Sequence, residues 1–156
     1  MSDPATAPQE TSALIDHILG RYHDAHREEL AFLVSLARKI ESVHADHPQV
    51  PHGLGDVLER LFLDMEAEMQ REEDEIFPLM RDGSALPGGS LDAMRADHAR
   101  HADIFAEAIA LTGGLSLPDD ACRSWATLYA ALEKFGSDLR AHLQLEDEVL
   151  IPRFAA

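Results

Sequence analysis

Apolar residues recur at alternating steps of four and three positions through four long stretches of the chain, the signature of one buried helix face. The first stretch, about residues 12–45, carries Leu19, His23, His26, Leu30, Leu33, Ala37, Ile40 and His44 on its seam. The second, about 53–81, carries Leu54, Leu58, Leu61, Met65, Glu68, Glu72, Ile76 and Leu79. The third has Leu91, Met94, His98, His101, Phe105 and Ala108, with Ser90 placed to cap its N-terminus and Gly113-Gly114 to end it. The fourth begins after Pro118-Asp119 and carries Trp125, Leu128, Leu132, Phe135, Leu139, His142, Glu146 and Val149. Strand periodicity is absent, and the breaks between stretches are short and rich in Pro and Gly. The expectation is an all-α, up-down-up-down four-helix bundle over 12–156, preceded by a flexible segment at 1–11.

Composition adds limits. The 156 residues are 46% hydrophobic and 27% charged, enough to bury a core. Cys122 is the lone cysteine, which rules out a disulfide framework and a cysteine-rich cluster within one chain and fits a cytoplasmic setting. No apolar run approaches the roughly 20 residues that span a bilayer. A formal charge of −16 argues against nucleic acid and anionic membranes as partners.

The seams themselves contain the anomaly. Glu68 and Glu72 interrupt the second, His142 and Glu146 the fourth, His23 and His26 the first, His98 and His101 the third. An unpaired buried carboxylate costs several kcal/mol, and the seams hold no Lys or Arg, so a bound cation is the good remaining partner. Residues four apart lie about 6 Å apart on one face, so Glu68/Glu72 and His142/Glu146 each aim two ligands inward. Imidazole with carboxylate suits iron, manganese or zinc rather than calcium. In an antiparallel bundle these groups share one layer, whereas His44, about 31 Å from His23 along a straight helix, does not. His17, His44, His47 and His52 read as capping, loop or surface residues, and Asp64 and Asp97 either orient imidazoles or face solvent.

An internal duplication points the same way. His23-Asp24-Ala25-His26 parallels His98-Ala99-Arg100-His101, and Glu72 through Pro78 parallels Glu146 through Pro152. Two hairpins related by a pseudo-two-fold would give each metal one histidine and share two glutamates.

These spacings resemble the hemerythrin-like domain. Leu14-Ile15-Asp16-His17, Arg21-Tyr22-His23-Asp24, His26-Arg27-Glu28, Val43-His44-Ala45-Asp46 and Glu72-Glu73 through Phe77-Pro78 resemble the repair-of-iron-centres family more closely, over about 13–154. The resemblance implies two non-haem irons, oxo- or hydroxo-bridged, on His23, Glu68, Glu72, His98, His142 and Glu146, with manganese or zinc as alternatives. It implies bridging roles for Glu72 and Glu146, with His23 and His98 on one iron and His142 and Glu68 on the other. The family carries His where this sequence has Glu68. Its members typically carry an N-terminal cysteine-containing domain, whereas the helical pattern here starts almost at once and no cysteine pair is present. The implied task is repair of damaged iron–sulfur proteins under nitrosative or oxidative stress, by iron donation or handling of nitric oxide. Binding or sensing of O2 or NO, ferritin-like oxidation of Fe(II), and a metal-free helical interaction module are the competing readings, so whether the chain is an enzyme stays open, as does its oligomeric state.

Overall fold

The computed structural model describes residues 10–155. The expected segment 1–11 therefore falls almost wholly outside the described residues. Helix α1 comprises α-helical Thr11–Ile18, a π-helical turn at Leu19–His23 and α-helical Asp24–Val43. Helix α2 comprises Leu54–Arg71, a π-helical turn at Glu72–Ile76 and Phe77–Asp82. Helix α3, Ser90–Leu111, is uninterrupted. Helix α4 comprises Arg123–Leu145, a π-helical turn at Glu146–Leu150 and a 3-10 turn at Ile151–Arg153. No strand occurs among the described residues.

Successive helices run antiparallel, as the register of their contacts shows. His23 meets Glu73 while Arg38 meets Asp56, so the start of α1 faces the end of α2. Asp97 pairs with Arg71, and Glu107 with Arg60, along α2 and α3. His98 reaches Asp147 across to α4. His26 meets His142 while His44 meets Cys122, which closes α4 back onto α1.

Local chemistry sets most of the ends. The Glu10 carboxylate accepts from the backbone N–H groups of Ser12 and Ala13 and caps α1, and those bonds hold its carboxyl below the usual range. Gly83, at φ 68°, ends α2 in the left-handed conformation that costs a glycine nothing. The expected cap at Ser90 is corrected. Gly89 occupies the cap position, and the Ser90 hydroxyl donates to the Pro87 carbonyl at 2.6 Å.

The apolar core is divided. A larger cluster, including Leu33, Leu58, Leu61, Trp125 and Phe135, fills the end near the α1–α2 loop. A smaller one, including Ile15, Ile18, Phe77, Met80 and Ile151, fills the other end. Between them lies a buried polar layer of His23, His26, Glu68, Glu72, His98, His101, His142 and Glu146.

The π turns shift the apolar seam by one residue. Beyond Glu72 the expected Leu79 is only half-buried and Met80 is buried instead; beyond Glu146, Val149 gives way to Leu150 in the same way. Before His23 the shift runs backwards, with Ile18 buried and Leu19 half-buried. A π turn takes one more residue than an α turn, so a strict four-three spacing carried through it lands one position out of register.

Candidate metal centre

All six expected site residues lie in the polar layer, and the ligand atoms form two overlapping groups. One is His23, His142 and Glu146; the other is Glu68, Glu72, His98 and Glu146. Each group's ligand atoms lie within 4.8 Å of one another. His142 Nε2 is 3.1 Å from Glu146 Oε1, and His98 Nε2 is 2.8 Å from Glu146 Oε2 and 3.0 Å from Glu68 Oε1. His23 Nε2 stands back, at 3.8 Å from Glu72 and 3.9 Å from Glu146. Glu146 belongs to both groups and lies between them. His23 shares its group with His142, and His98 with Glu68; this departs from the His23–His98 pairing that the resemblance implies and agrees with the one-histidine-per-metal division expected from the duplication.

The three imidazoles are held alike, with Nδ1 engaged and Nε2 directed into the cluster. Nδ1 of His23 meets Glu73 at 2.8 Å, Nδ1 of His98 meets Asp147 at 2.7 Å, and Nδ1 of His142 meets Nε2 of His26 at 3.1 Å. The ring of His142 also stacks on Tyr22, with centroids 5.1 Å apart, and that of His23 on Phe77 at 5.7 Å. A partner at one nitrogen fixes ring orientation and leaves the other nitrogen to bind a metal.

Each of the six residues has a buried polar atom that makes no aligned hydrogen bond, even where another ligand atom lies within 3.1 Å. These are Nε2 of His23, His98 and His142, Oε1 of Glu68, Oε2 of Glu72 and both carboxylate oxygens of Glu146. Unsatisfied polar atoms are rare in protein interiors because each costs its desolvation energy. Seven of them converging from four helices, all of ligand type, fit a divalent transition metal better than a network of the protein's own hydrogen bonds.

Electrostatics shows how the metal-free cluster balances itself. Burial, and then the charges of Glu146 and Glu68, push the Glu72 carboxyl well above the usual range. Burial would raise Glu146 as well, but the imidazoles of His142 and His98 outweigh it and hold that carboxyl well below. Burial likewise opposes ionisation of Glu68, yet the adjacent imidazoles of His101 and His98 bring it down to about 2. His98 is pulled the other way: burial favours its neutral form, but Asp147, Glu146 and Glu68 together raise it. Without metal, His98 and Glu72 therefore hold protons more tightly than free imidazole and carboxyl groups do, and a metal competes with those protons for the site.

The remaining expectations divide. His26 and His101 are buried and each touches a candidate ligand, His142 and Glu68 respectively. Burial, then the neighbouring His142 and His23, lower His26 to about 2, so it stays neutral. Asp64 lies 3.1 Å from His101, whereas Asp97 is taken up by Arg71 and Arg100, and neither reaches a candidate ligand. His44 caps the end of α1 beside Cys122 and Trp125, and His47 bonds to Asp120, far from the cluster. Glu73 and Asp147 were missed as imidazole partners. Their signal was their place in the duplicated strings, one residue after Glu72 and Glu146.

Residues 14–154 match the model of the hemerythrin HHE cation-binding domain. The chain belongs to the hemerythrin family. Within it, this hemerythrin-family chain is 36% identical to an iron-sulfur cluster repair protein, YtfE, of Citrobacter koseri, over 99% of its own length and 70% of the relative's. Proteins of the same name from Escherichia coli O1:K1 and from Escherichia fergusonii are also 36% identical, over 92% of this chain and 66% of theirs. The hemerythrin-like chain thus spans about two thirds of the length of these relatives. Cation binding is the property the family description carries, and the cluster supplies donors of the type it requires. No helix among the described residues is long and apolar enough to cross a membrane.

Proposed function

We propose that the chain is a non-haem di-iron protein of the nitrosative and oxidative stress response, and that it maintains iron–sulfur clusters by donating iron or handling nitric oxide. One observation carries the metal half of this reading: seven unpartnered ligand atoms in a buried layer, arranged as two groups that share Glu146. The task rests on the relatives named as iron-sulfur cluster repair proteins. Its targets are damaged iron–sulfur proteins, and its site of action is the cytoplasm.

In this reading His23, His142 and Glu146 would hold one iron and Glu68, His98 and Glu146 the other, with Glu72 available to both. Bound iron supplies one-electron chemistry and a binding position for small diatomic ligands. The protein's own part is positional. Glu73, Asp147 and His26 keep the three imidazoles turned inward, and the apolar clusters on either side keep bulk water from the layer. Three carboxylates against three imidazoles favour the ferric state more than a histidine-richer set does.

Elemental analysis of protein purified from iron-fed cells tests the metal, with two irons per chain expected; a metal-free, fully folded protein refutes it. Reactivation of a nitric-oxide-damaged iron–sulfur enzyme by the iron-loaded chain tests the task. Failure of reactivation with both irons bound refutes the repair role and leaves the centre standing.

A further inference from the structure

The pseudo-two-fold relating the α1–α2 hairpin to the α3–α4 hairpin is obeyed at every position of the cluster except one. His23 answers to His98, His26 to His101, Glu72 to Glu146, and the orienting Glu73 to Asp147. At the remaining pair α4 provides His142 and α2 provides Glu68. The two groups therefore differ in chemistry. One offers two imidazoles with the Glu146 carboxylate; the other offers a single imidazole, His98, among Glu68, Glu72 and Glu146. Imidazole is the better donor for ferrous iron, while carboxylates alone suit harder, more weakly bound cations.

The surroundings break the symmetry in the same direction. Behind His142 stands His26, whose ring packs on Phe135 at 5.1 Å. That side is closed by apolar core. Behind Glu68 stands His101, with Nδ1 3.1 Å from Glu68 Oε2 and Nε2 3.1 Å from Asp64 Oδ2. The Asp64 side chain is 29% exposed and pairs with Arg100, which is more exposed still. Glu68, His101 and Asp64 thus form a line of donors, one contact apart, from the buried layer to water.

We infer that the two metal positions are unequal in exchange: the metal held by Glu68, Glu72, His98 and Glu146 enters and leaves along Glu68, His101 and Asp64, while the metal on the His23–His142 side is retained. This rests on the two-iron reading above and names which iron the protein can give away.

The test is metal release from the full-length chain. The metal-free protein is saturated with ferrous iron without oxygen, the bound iron is counted, and an excess of a chromophoric ferrous chelator is added. Two phases of equal amplitude are expected, separated by about tenfold or more in rate. Asp64→Asn slows the fast phase and leaves the slow one alone. Glu68→His, which restores the two-fold pattern, brings the fast rate toward the slow one; circular dichroism of the metal-free variant confirms that it is folded. Single-phase release with two irons bound overturns the inference and spares the two-iron reading. Binding of fewer than two irons at saturation overturns that reading itself. An Asp64→Asn effect confined to the slow phase also overturns the proposed path.

Discussion

Replacing Glu72 by Gln removes a negative charge from a side chain that is 1% exposed and keeps its shape. In the metal-free protein Glu72 is crowded by burial and by the charges of Glu146 and Glu68, which push its carboxyl well above the usual range. The folded state then holds a proton that the unfolded chain has already lost. Stability is therefore greatest below the ordinary carboxyl value of about 4.3 and declines as pH rises toward the raised folded value. At pH 7 the wild type carries that penalty and Glu72→Gln does not. Holding that proton costs about 1.4 kcal/mol for each pH unit between the unfolded value and the lower of pH 7 and the folded value, so an amide of equal volume gains about 1–4 kcal/mol. For a chain of this size each kcal/mol moves Tm by about 2–4 °C, so a mid-range gain of about 2 kcal/mol raises it by roughly 4–8 °C. With metal bound the sign reverses, because binding stabilises in proportion to the logarithm of ligand concentration over Kd and the amide is the poorer ligand. Thermal melts at pH 7, with chelator and with saturating ferrous iron under anaerobic conditions, read both effects. At pH 4 the metal-free difference should vanish. A metal-free Glu72→Gln protein that melts below wild type at pH 7 would mean that the carboxylate is satisfied by the protein itself, and the argument for a cation would fail.

Glu73→Ala and Asp147→Ala each free the Nδ1 of one inward-facing imidazole, held at 2.8 Å and 2.7 Å. Each should weaken metal binding by about 10–100-fold in chelator competition, and unchanged affinity would refute the orienting role. Gly136→Ala would set a methyl 2.5 Å from Cε1 of Phe105, whose ring packs against Phe135. The ring must move, and a loss of about 1–3 kcal/mol is expected by urea unfolding. Burial alone would raise the Asp138 carboxyl, but Arg21 and Lys134, both at 2.9 Å, hold it below its usual value. A depressed carboxyl stabilises above the ordinary range and loses that contribution as pH falls through the folded value. Asp138→Asn should therefore cost about 1–3 kcal/mol at pH 7 and progressively less below about pH 4, by unfolding at both pH values.

The sequence made the bundle legible because the signal is periodic and long: each seam repeats over many turns, and its polar interruptions at His23, Glu68, Glu72, His98, His142 and Glu146 stand out against Leu and Ile. It made the grouping of those residues only partly legible: the duplicated strings separate His23 from His98, as the two groups of ligand atoms do, but do not say which residues join each. Helical spacing fixes the height of a side chain along the bundle, but the division of a layer into two groups depends on the rotation of each helix about its axis. That rotation decided that His23 joins His142 rather than His98. Glu73 and Asp147 were hidden for a related reason. In an ideal α-helix the neighbour of an inward residue turns about 100° away, and neither residue was singled out.

The π turns account for that exception. Three of the six candidate ligands lie at their ends, His23 closing one, Glu72 and Glu146 each opening another. A wider turn rotates the chain less per residue, so Glu73 and Asp147 remain near enough to the interior to reach the imidazoles of His23 and His98. Pro78 and Pro152, shortly after the two paired turns, have no N–H to return to the carbonyl four residues back, which loosens the α ladder where the wider turn forms. The same extra residue that brings in the carboxylate moves Met80 and Leu150 onto the core face in place of Leu79 and Val149. The helix deformation thus serves two ends at once, orienting a ligand above it and resetting the apolar seam below. A prediction that keeps every turn at 3.6 residues therefore misplaces both together.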